Sequence, residues 1–277
     1  MHNLISYNQL VGYSYAAPKV ASPKSEQQLI RALEINSDLS EAYASYGDVK
    51  LFFRWDWAGS EEAFKKAISI NPNYPEARRW YSHFLLVSGR YQEAHEQIDI
   101  GIKLKSASPI MYFGKAVIFL REKKFELAKE LSMKMISVDP NYVMGLHTLA
   151  LSEFGLGNLE ESLKLANQGL SKFPNYSQYM VAKMMALNRL GRLAEAKLIR
   201  DALFKRQETD LVPSMTLARA EYYVGNMDEA VIKLEQAYED RNIQLFPIDP
   251  RQLFDKLNGN QRFDAIWEKV GLSEFVE

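Results

Sequence analysis

A six-residue pattern recurs along this chain at a fixed interval of 34 residues. It reads GRYQEA from residue 89, KKFELA from 123, GNLEES from 157, GRLAEA from 191 and GNMDEA from 225. A period of about 20 to 50 residues is typical of arrays in which each unit contacts mainly its neighbours. The interval therefore predicts a stack of similar units.

Glycine marks one fixed point in each unit. With repeats that begin at Pro75, Pro109, Val143, Ser177 and Leu211, position 15 is Gly89, Lys123, Gly157, Gly191 and Gly225. Glycine readily adopts the left-handed conformation that ends a helix, and a following Asn can cap the next one. Asn158 and Asn226 stand there, and Glu161 and Glu229 complete a capping-box-like pair. Position 15 is therefore predicted to be the turn of a helical hairpin.

Small side chains recur in the second helix of each hairpin. Position 20 is Ala94, Ala128, Ser162, Ala196 and Ala230, and position 27 is Gly101, Met135, Gly169, Leu203 and Ala237. Position 17 is always apolar, as Tyr91, Phe125, Leu159, Leu193 and Met227. Apolar and small residues three positions apart indicate a buried helical stripe. We therefore expect close helix packing along these positions.

The two ends of the array are less regular. The interval rises to 35 between Gly47 and Ser82, which places one extra residue in the turn RWDW at 54–57. Residues 7–17 and 25–35 are predicted to be a helix pair joined by a loop that contains Pro18 and Pro23. After residue 240 we expect an extended connector and two short helices that cover the last hydrophobic face. The expected domains are a repeat array at 1–241, with about seven helix pairs, and a connector with a helical cap at 242–277.

The repeat resembles the tetratricopeptide repeat, a 34-residue helical hairpin with small residues at positions 8, 20 and 27 and proline near position 32. The resemblance covers about residues 6–240 and implies an all-α, right-handed superhelical solenoid of helical hairpins with a C-terminal helical cap. Lys115 and Lys183, at position 7, and Ser37, in place of the first proline, depart from the pattern.

A narrower resemblance concerns residues 40–94 and 237–272, which are similar to the C-terminal repeat region of multidomain bacterial regulators. In that family the effector is a winged-helix DNA-binding domain, a nucleotide cyclase or a protein kinase. None of these is visible in the sequence. Since the chain starts within the first predicted hairpin, whether it is a fragment of a longer protein is left open.

Composition argues against several classes of function. Lys and Arg total 34 against 35 Asp and Glu in 277 residues, a net charge of −1, so no overall positive field attracts nucleic acid or an anionic membrane. With no cysteine, the chain has no disulfide, thiolate metal site or cysteine nucleophile. Neither a signal peptide nor an apolar run of membrane-spanning length is present. We expect a soluble, cytoplasmic protein that binds neither a membrane nor, by itself, nucleic acid.

The first helices are expected to carry the binding face, because the resemblance places ligand contacts at positions 2, 5, 9, 12 and 13. The predicted groove residues are Arg79, His83, Phe113, Val117, His147, Leu151, Val181, Met185, Arg219 and Tyr222. This set is mostly apolar with a few basic points, and it lacks the Lys and Asn pairing by which some family members hold a terminal carboxylate. A hydrophobic or amphipathic peptide segment is the predicted ligand, with Arg79 or Arg219 reaching an acidic group. The alternative is that these side chains pack against neighbouring helices or a second copy.

No catalytic constellation accompanies the repeat. His83 and His147 lie in different repeats, without further ligands at metal-binding spacing. The sequence GYSYA at 12–16 matches a nucleophile elbow in letters only, since a helical chain supplies no buried strand before it. We predict no catalytic residue, no metal site and no cofactor. For Trp55 and Trp57, filling the widened turn and anchoring a partner are the two interpretations.

The leading functional prediction is a non-enzymatic protein-interaction module, the sensing or scaffolding part of a bacterial regulator. The alternative is an allosteric receptor for a small molecule, which the aromatic and basic residues of the groove suggest. An enzyme is the third and weakest interpretation. The expected partner is a protein or peptide, and a homodimer is left open. The sequence specifies neither the partner, the signal nor the attached effector.

Overall fold

The computed structural model describes residues 18–242, 245 and 250–271, and it is helical along most of this length. The α-helices are α1 (Pro18–Ile35), α2 (Ser40–Val49), α3 (Trp57–Ile70), α4 (Pro75–Val87), α5 (Tyr91–Leu104), α6 (Pro109–Arg121), α7 (Phe125–Val138), α8 (Val143–Gly155), α9 (Leu159–Lys172), α10 (Gln178–Arg189), α11 (Leu193–Gln207), α12 (Ser214–Val224), α13 (Met227–Glu239), α14 (Pro250–Leu253) and α15 (Gln261–Val270). No β-strand occurs among the described residues. Helices α2 to α13 follow one another as hairpins at the predicted interval.

The described residues divide into two compact units. Unit 1 contains residues 18–106, 238–242, 245 and 264–271, and unit 2 contains residues 107–237 and 250–263. Each unit has its own core of alternating first and second helices. The predicted boundary between 241 and 242 remains a prediction.

Five hairpin turns share one backbone geometry at position 15. Gly89, Gly157, Gly191 and Gly225 have φ between 74° and 91°, and Lys123 has φ 60°. At each turn this residue donates to the carbonyl three residues earlier, and the next residue donates to the carbonyl five residues earlier, as in Gly89 N to Leu86 O at 3.1 Å and Arg90 N to Leu85 O at 2.8 Å. This is the Schellman arrangement that ends a helix. The predicted turn is confirmed.

Small residues stand where the two helices of a hairpin cross. Each residue at position 20 is at most 1% exposed. The backbones approach so closely that side-chain hydroxyls bond across the crossing: Ser82 Oγ donates to Ala94 O at 2.8 Å, and Ser162 Oγ donates to Ala150 O at 2.8 Å. A Cβ added to Gly169, at position 27, would lie 2.0 Å from the ring of Tyr179. The close packing predicted at positions 20 and 27 is confirmed.

Position 17 is less buried than predicted. It is the first residue of the second helix in each hairpin, that is, of α5, α7, α9, α11 and α13. Leu193 is 40% exposed there, and its equivalents are only half-buried. The buried stripe therefore begins at position 20.

The capping-box prediction is wrong for Asn158. This residue directly precedes α9, at the N-cap, but its side chain makes no capping hydrogen bond. Its amide instead donates to Glu153 Oε2 of α8 at 2.7 Å, and Asn226 makes the equivalent bond to Glu221. Both pairs join residues five apart across the turn, so each Asn secures the end of the preceding helix.

The loop predicted around Pro18 and Pro23 is instead helical. Helix α1 begins at Pro18, whose fixed φ and missing N–H suit the first turn, and it continues through Pro23. Because Pro23 is only the sixth residue, its missing N–H costs the helix one hydrogen bond near its start. The helix predicted at 7–17 and the sequence GYSYA lie outside the described residues.

The extra residue of the RWDW turn is absorbed as a π-helical turn, Lys50–Arg54, that continues α2. Asp56 N donates to Lys50 O at 3.1 Å, and Trp55 has a left-handed φ of 54°. Asp56 then caps α3 by accepting from Gly59 N at 2.9 Å. The sequence predicted one extra residue near this turn, and the chain accommodates it by forming the π-helical turn.

The C-terminal segment contains α14, a 3₁₀ turn (Asp255–Leu257) and α15. These elements match the two short helices predicted for the end of the array. Phe254 and Phe263 are fully buried in unit 2, with ring centroids 6.2 Å apart. Most of the predicted connector at 241–250 lies outside the described residues.

Candidate functional site

The ten predicted groove residues lie on first helices, and we call the surface formed by positions 2, 5, 9, 12 and 13 of the first helices of unit 2 the first-helix face. Arg79 and His83 belong to unit 1, and the other eight belong to unit 2. In unit 2, Phe113, Val117 and Leu151 are half-buried and retain accessible surface. Val181 has 0% exposure. The predicted set therefore combines residues that can touch a ligand with residues that support them.

Arg79 and His83 lie in an aromatic cluster on α4. The Arg79 guanidinium lies 3.7 Å from the ring centroid of Trp80, and the His83 ring stacks on the same indole with centroids 6.2 Å apart. The Phe52 ring meets the edge of His83 at 5.3 Å. Cation–π contact holds the guanidinium flat against the indole. Unit 1 thus has a face of aromatic and basic character.

His147, at position 5 of α8, is 9% exposed. The rings of Tyr176 and Tyr179 meet its imidazole edge-on, with centroids 5.8 and 5.6 Å away. Burial and, to a lesser extent, the nearby charge of Arg219 lower the pKa of His147 to about 3. The imidazole is therefore neutral at physiological pH. Its Nε2 has no hydrogen-bond partner in the described part of the chain.

Arg219, at position 9 of α12, is a buried cation with 7% exposure. Its Nη1 donates to Gln178 Oε1 at 3.1 Å, and its Nη2 lies 3.3 Å from the sulfur of Met185. Burial raises the pKa of the neighbouring Tyr223, and the charge of Arg219 opposes that rise. The residues around this guanidinium are neutral: an amide, a thioether, an imidazole and a phenol.

Tyr222, at position 12 of α12, is covered by the C-terminal segment of its own unit. Its ring meets Phe254 at 5.1 Å, its hydroxyl donates to Asp255, and Lys256 N donates to that hydroxyl at 3.4 Å. Burial and then the Asp255 contact raise the pKa of Tyr222. Every residue of α12 is buried. Tyr222 thus supports the helical cap, and its 7% exposure leaves little surface for a ligand.

Gln178 is the site residue that the sequence reasoning missed. It lies at position 2 of α10, is 6% exposed, and links Arg219 to Thr216, to whose Oγ1 its amide donates at 3.0 Å. Position 2 is one of the ligand positions implied by the resemblance. Reading that position as well as positions 5 and 9 would have found it.

Trp55 and Trp57 both make internal contacts in unit 1. Trp55 is 8% exposed and lies between Tyr238, at a ring distance of 4.9 Å, and Arg241, whose guanidinium is 3.6 Å from the indole centroid. Trp57 is 5% exposed, and its Nε1 donates to Val270 O at 3.1 Å. The two indoles therefore join the widened turn to C-terminal residues of the chain, a role that neither predicted interpretation included.

Two features are absent from the described residues. No group of three or more His, Cys, Asp or Glu residues in this part of the chain has an arrangement that could hold a metal ion. None of its helices combines the length and apolar character needed to cross a bilayer.

Comparison with known proteins supports one family. Residues 63–96 match the family model described as a tetratricopeptide repeat. Tetratricopeptide repeat protein 6 of Homo sapiens is 27% identical over 150 residues, which cover 53% of this chain and 28% of that protein. The match thus spans less than a third of the human relative.

Solved structures support the same fold. A tetratricopeptide repeat protein from Parabacteroides merdae ATCC 43184 superposes with a TM-score of 0.62 at 14% identity, covering 97% of this chain and 99% of that one. PilW, a type IV pilus biogenesis factor, superposes with a TM-score of 0.60 at 15% identity, covering 78% of this chain and 97% of that one. Together with the 34-residue hairpins and their turns, these matches show an all-α repeat solenoid and support a tetratricopeptide repeat protein.

Proposed function

We propose that this chain is a non-enzymatic interaction module that binds an apolar or amphipathic peptide segment on its first-helix face, as the sensing or scaffolding part of a cytoplasmic bacterial regulator. Tetratricopeptide repeat proteins mediate protein–protein interaction. The regulator role is supported by the sequence resemblance of residues 40–94 and 237–272. The binding mode is supported by the residues of unit 2 itself.

The observation that carries the proposal is that apolar side chains at positions 5 and 9 of unit 2 differ in burial. Phe113, Val117 and Leu151 keep accessible apolar surface, while Val181 and Met185, at the same positions of a later repeat, are buried. Apolar anchors on a rigid helical frame suit an amphipathic segment, whose side chains fill the gaps between anchors. The half-buried anchors are the residues expected to contact the partner.

A matched pair of surface charges tests this proposal. Phe113→Glu places a carboxylate on the first-helix face, and Leu198→Glu places one on the 70% exposed outer surface of α11. We expect the first change to weaken binding of a captured partner at least about tenfold, because it buries a charge at the contact, and the second to leave binding unchanged. Partners are captured with both variants and the wild type, and affinities are then measured by calorimetry with the purified partner. Equal binding by all three proteins would refute the proposal. Sedimentation of the protein alone shows whether the partner is a second copy.

The second candidate is a small-molecule receptor, and the cluster of Phe52, Arg79, Trp80 and His83 in unit 1 favours it. An arginine held flat on an indole and flanked by two further rings suits an aromatic anion. A rise in unfolding temperature with one class of metabolite that is abolished by Trp80→Ala, together with no peptide binding, would favour this candidate over the first.

A further inference from the structure

The guanidinium of Arg219 is buried without an acidic group beside it. Among the described residues no Asp or Glu forms an ion pair with this side chain. Arginine stays charged at any physiological pH, and a buried charge without a counter-ion is strongly destabilising. The amide of Gln178, the sulfur of Met185 and the hydroxyl of Tyr223 supply dipoles only. The guanidinium is therefore a buried positive charge whose direct contacts are neutral.

One edge of this guanidinium has unused hydrogen-bonding capacity. Nε is buried and has no partner in the described part of the chain, and Nη2 contacts the thioether of Met185. The Tyr223 hydroxyl is a further hydrogen-bond partner of the guanidinium. Thioether sulfur is a weak acceptor. Nε–H and the adjacent Nη2–H point the same way from the planar group, and this is the edge that binds both oxygens of a carboxylate. Gln178 holds Nη1, on the opposite side, and so fixes the orientation of the plane.

His147 adds a second unused nitrogen to the same site. Its Nε2 is buried without a partner among the described residues, and its ring is close enough to Arg219 to feel the charge. A neutral imidazole carries a proton on one of its nitrogens, so Nε2 can donate when it holds that proton. Arg219 and His147 lie on first helices α12 and α8, with Gln178 on α10 between them. Three successive first helices thus contribute to one polar site.

We propose that Arg219, Gln178 and His147 form a binding site for one carboxylate group of the partner segment. The carboxylate accepts from Nε and Nη2 of Arg219, takes the place of the Met185 sulfur, and accepts from His147 Nε2. Met185 must move for this to happen, and the unbranched methionine side chain does so readily. The inference rests on the proposed function, and it adds that the segment carries an Asp or Glu side chain, or its C-terminal carboxylate, beside its apolar anchors.

The test uses the full chain with ¹⁵N-labelled arginine and three small probes. N-acetylglutamic acid N-methylamide offers a side-chain carboxylate, N-acetylglycine offers one like a chain terminus, and N-acetylglutamine N-methylamide is the neutral match of the first. The Nε–Hε resonance of Arg219 is assigned from its absence in Arg219→Lys. We expect this resonance to move with one or both carboxylate probes at millimolar concentration, and not with the neutral probe. The two acids distinguish a side chain from a terminus. No movement with either acid, or equal movement with the neutral probe, would overturn the inference.

Substitutions separate this inference from the proposed function. Arg219→Gln removes the charge and should weaken binding of the captured partner at least about tenfold, whereas Arg192→Gln, at a 40% exposed side chain directly before α11, should not. If Phe113→Glu abolishes partner binding but Arg219→Gln leaves it unchanged, the carboxylate site is wrong and the interaction module stands. If Arg219→Gln does not fold, the probe titration of the wild-type protein still decides.

Discussion

A single lysine shows how strongly the turn constrains the residue at position 15. Lys123 adopts the left-handed conformation that glycine adopts at the other four turns, with φ 60°. An L side chain in this region costs about 1–2 kcal/mol, and replacing it with glycine removes that cost. The greater conformational freedom of glycine in the unfolded chain offsets part of this stabilisation. Lys123→Gly should therefore raise the free energy of unfolding by about 0.5–1 kcal/mol.

Urea unfolding measures this effect, and Gly157 provides the reverse experiment. A Cβ added to Gly157 meets nothing within 4 Å, so Gly157→Ala creates no steric clash. It changes only the conformational energy of the backbone at a φ of 86°. It should destabilise by about 1 kcal/mol. A destabilised Lys123→Gly would mean that the lysine side chain makes a compensating contact at this turn.

Glu61 is a half-buried carboxylate whose charge contributes to stability in a pH-dependent way. Burial alone would raise its pKa, but hydrogen bonds from Lys65, Arg90 and Tyr81 lower it to about 2. Because the folded pKa lies below the ordinary value of 4.5, the stabilisation is complete above that value and is lost as pH falls from about 4.5 to about 2.

The predicted consequence is a change in the slope of stability against pH. Glu61→Gln should lower the free energy of unfolding at pH 7 by on the order of 1–3 kcal/mol and flatten its fall between about pH 4.5 and 2. Glu62→Gln, at the exposed neighbouring position of α3, should leave that slope unchanged. Thermal unfolding over this pH range measures both. Parallel curves for the wild type and Glu61→Gln would rule out the ion-paired network as the source of acid sensitivity.

At the scale of helices, the crossing at position 20 sets how closely a hairpin can pack. Ala128 is 0% exposed, and adding a phenyl ring there should force the helices apart and cost about 1–3 kcal/mol or more. Leu127→Phe, at a 41% exposed position on the same helix, should cost less than about 0.5 kcal/mol. Chemical unfolding of both variants tests the crossing. Equal stability would show that Ala128 does not lie at a tight contact.

These hairpins could be predicted well from the sequence because each unit repeats the same residue types at the turn and at the helix crossing. Glycine at position 15 and small residues at position 20 are required by backbone geometry, and such requirements recur in register. Gln178 and Arg219 meet no such requirement, since their roles depend on side chains from three different repeats. The helical Pro23 was missed for a related reason: proline disfavours a helix locally, but near the start it removes only one hydrogen bond. Recurring constraints were therefore predictable, while features that occur once were not.

At the scale of the whole molecule, unit 1 is assembled from residues far apart in the sequence. Tyr238, Arg241 and Val270 contact the turn that contains Trp55 and Trp57. Trp57 Nε1 donates to the last carbonyl of α15, a group that has no partner within the helix. A contact over more than 200 positions does not follow from a 34-residue period. This explains why neither interpretation from the sequence, filling the widened turn or anchoring a partner, included it.

Trp57→Phe tests whether this bond holds α15 in place. The change keeps an aromatic ring but removes the donor, so the carbonyl of Val270 is left buried without it, at a cost of about 1–2 kcal/mol. Because the loss concerns the attachment of one helix, we expect amide exchange to accelerate in residues 264–271 before the hairpins of unit 1 open. Trp80→Phe, on α4, removes an indole that stacks on Arg79 and should leave exchange in α15 unchanged. If exchange in α15 is unchanged by Trp57→Phe as well, its apolar contacts hold the helix without the hydrogen bond, and the turn at 54–57 does not secure the C-terminal residues.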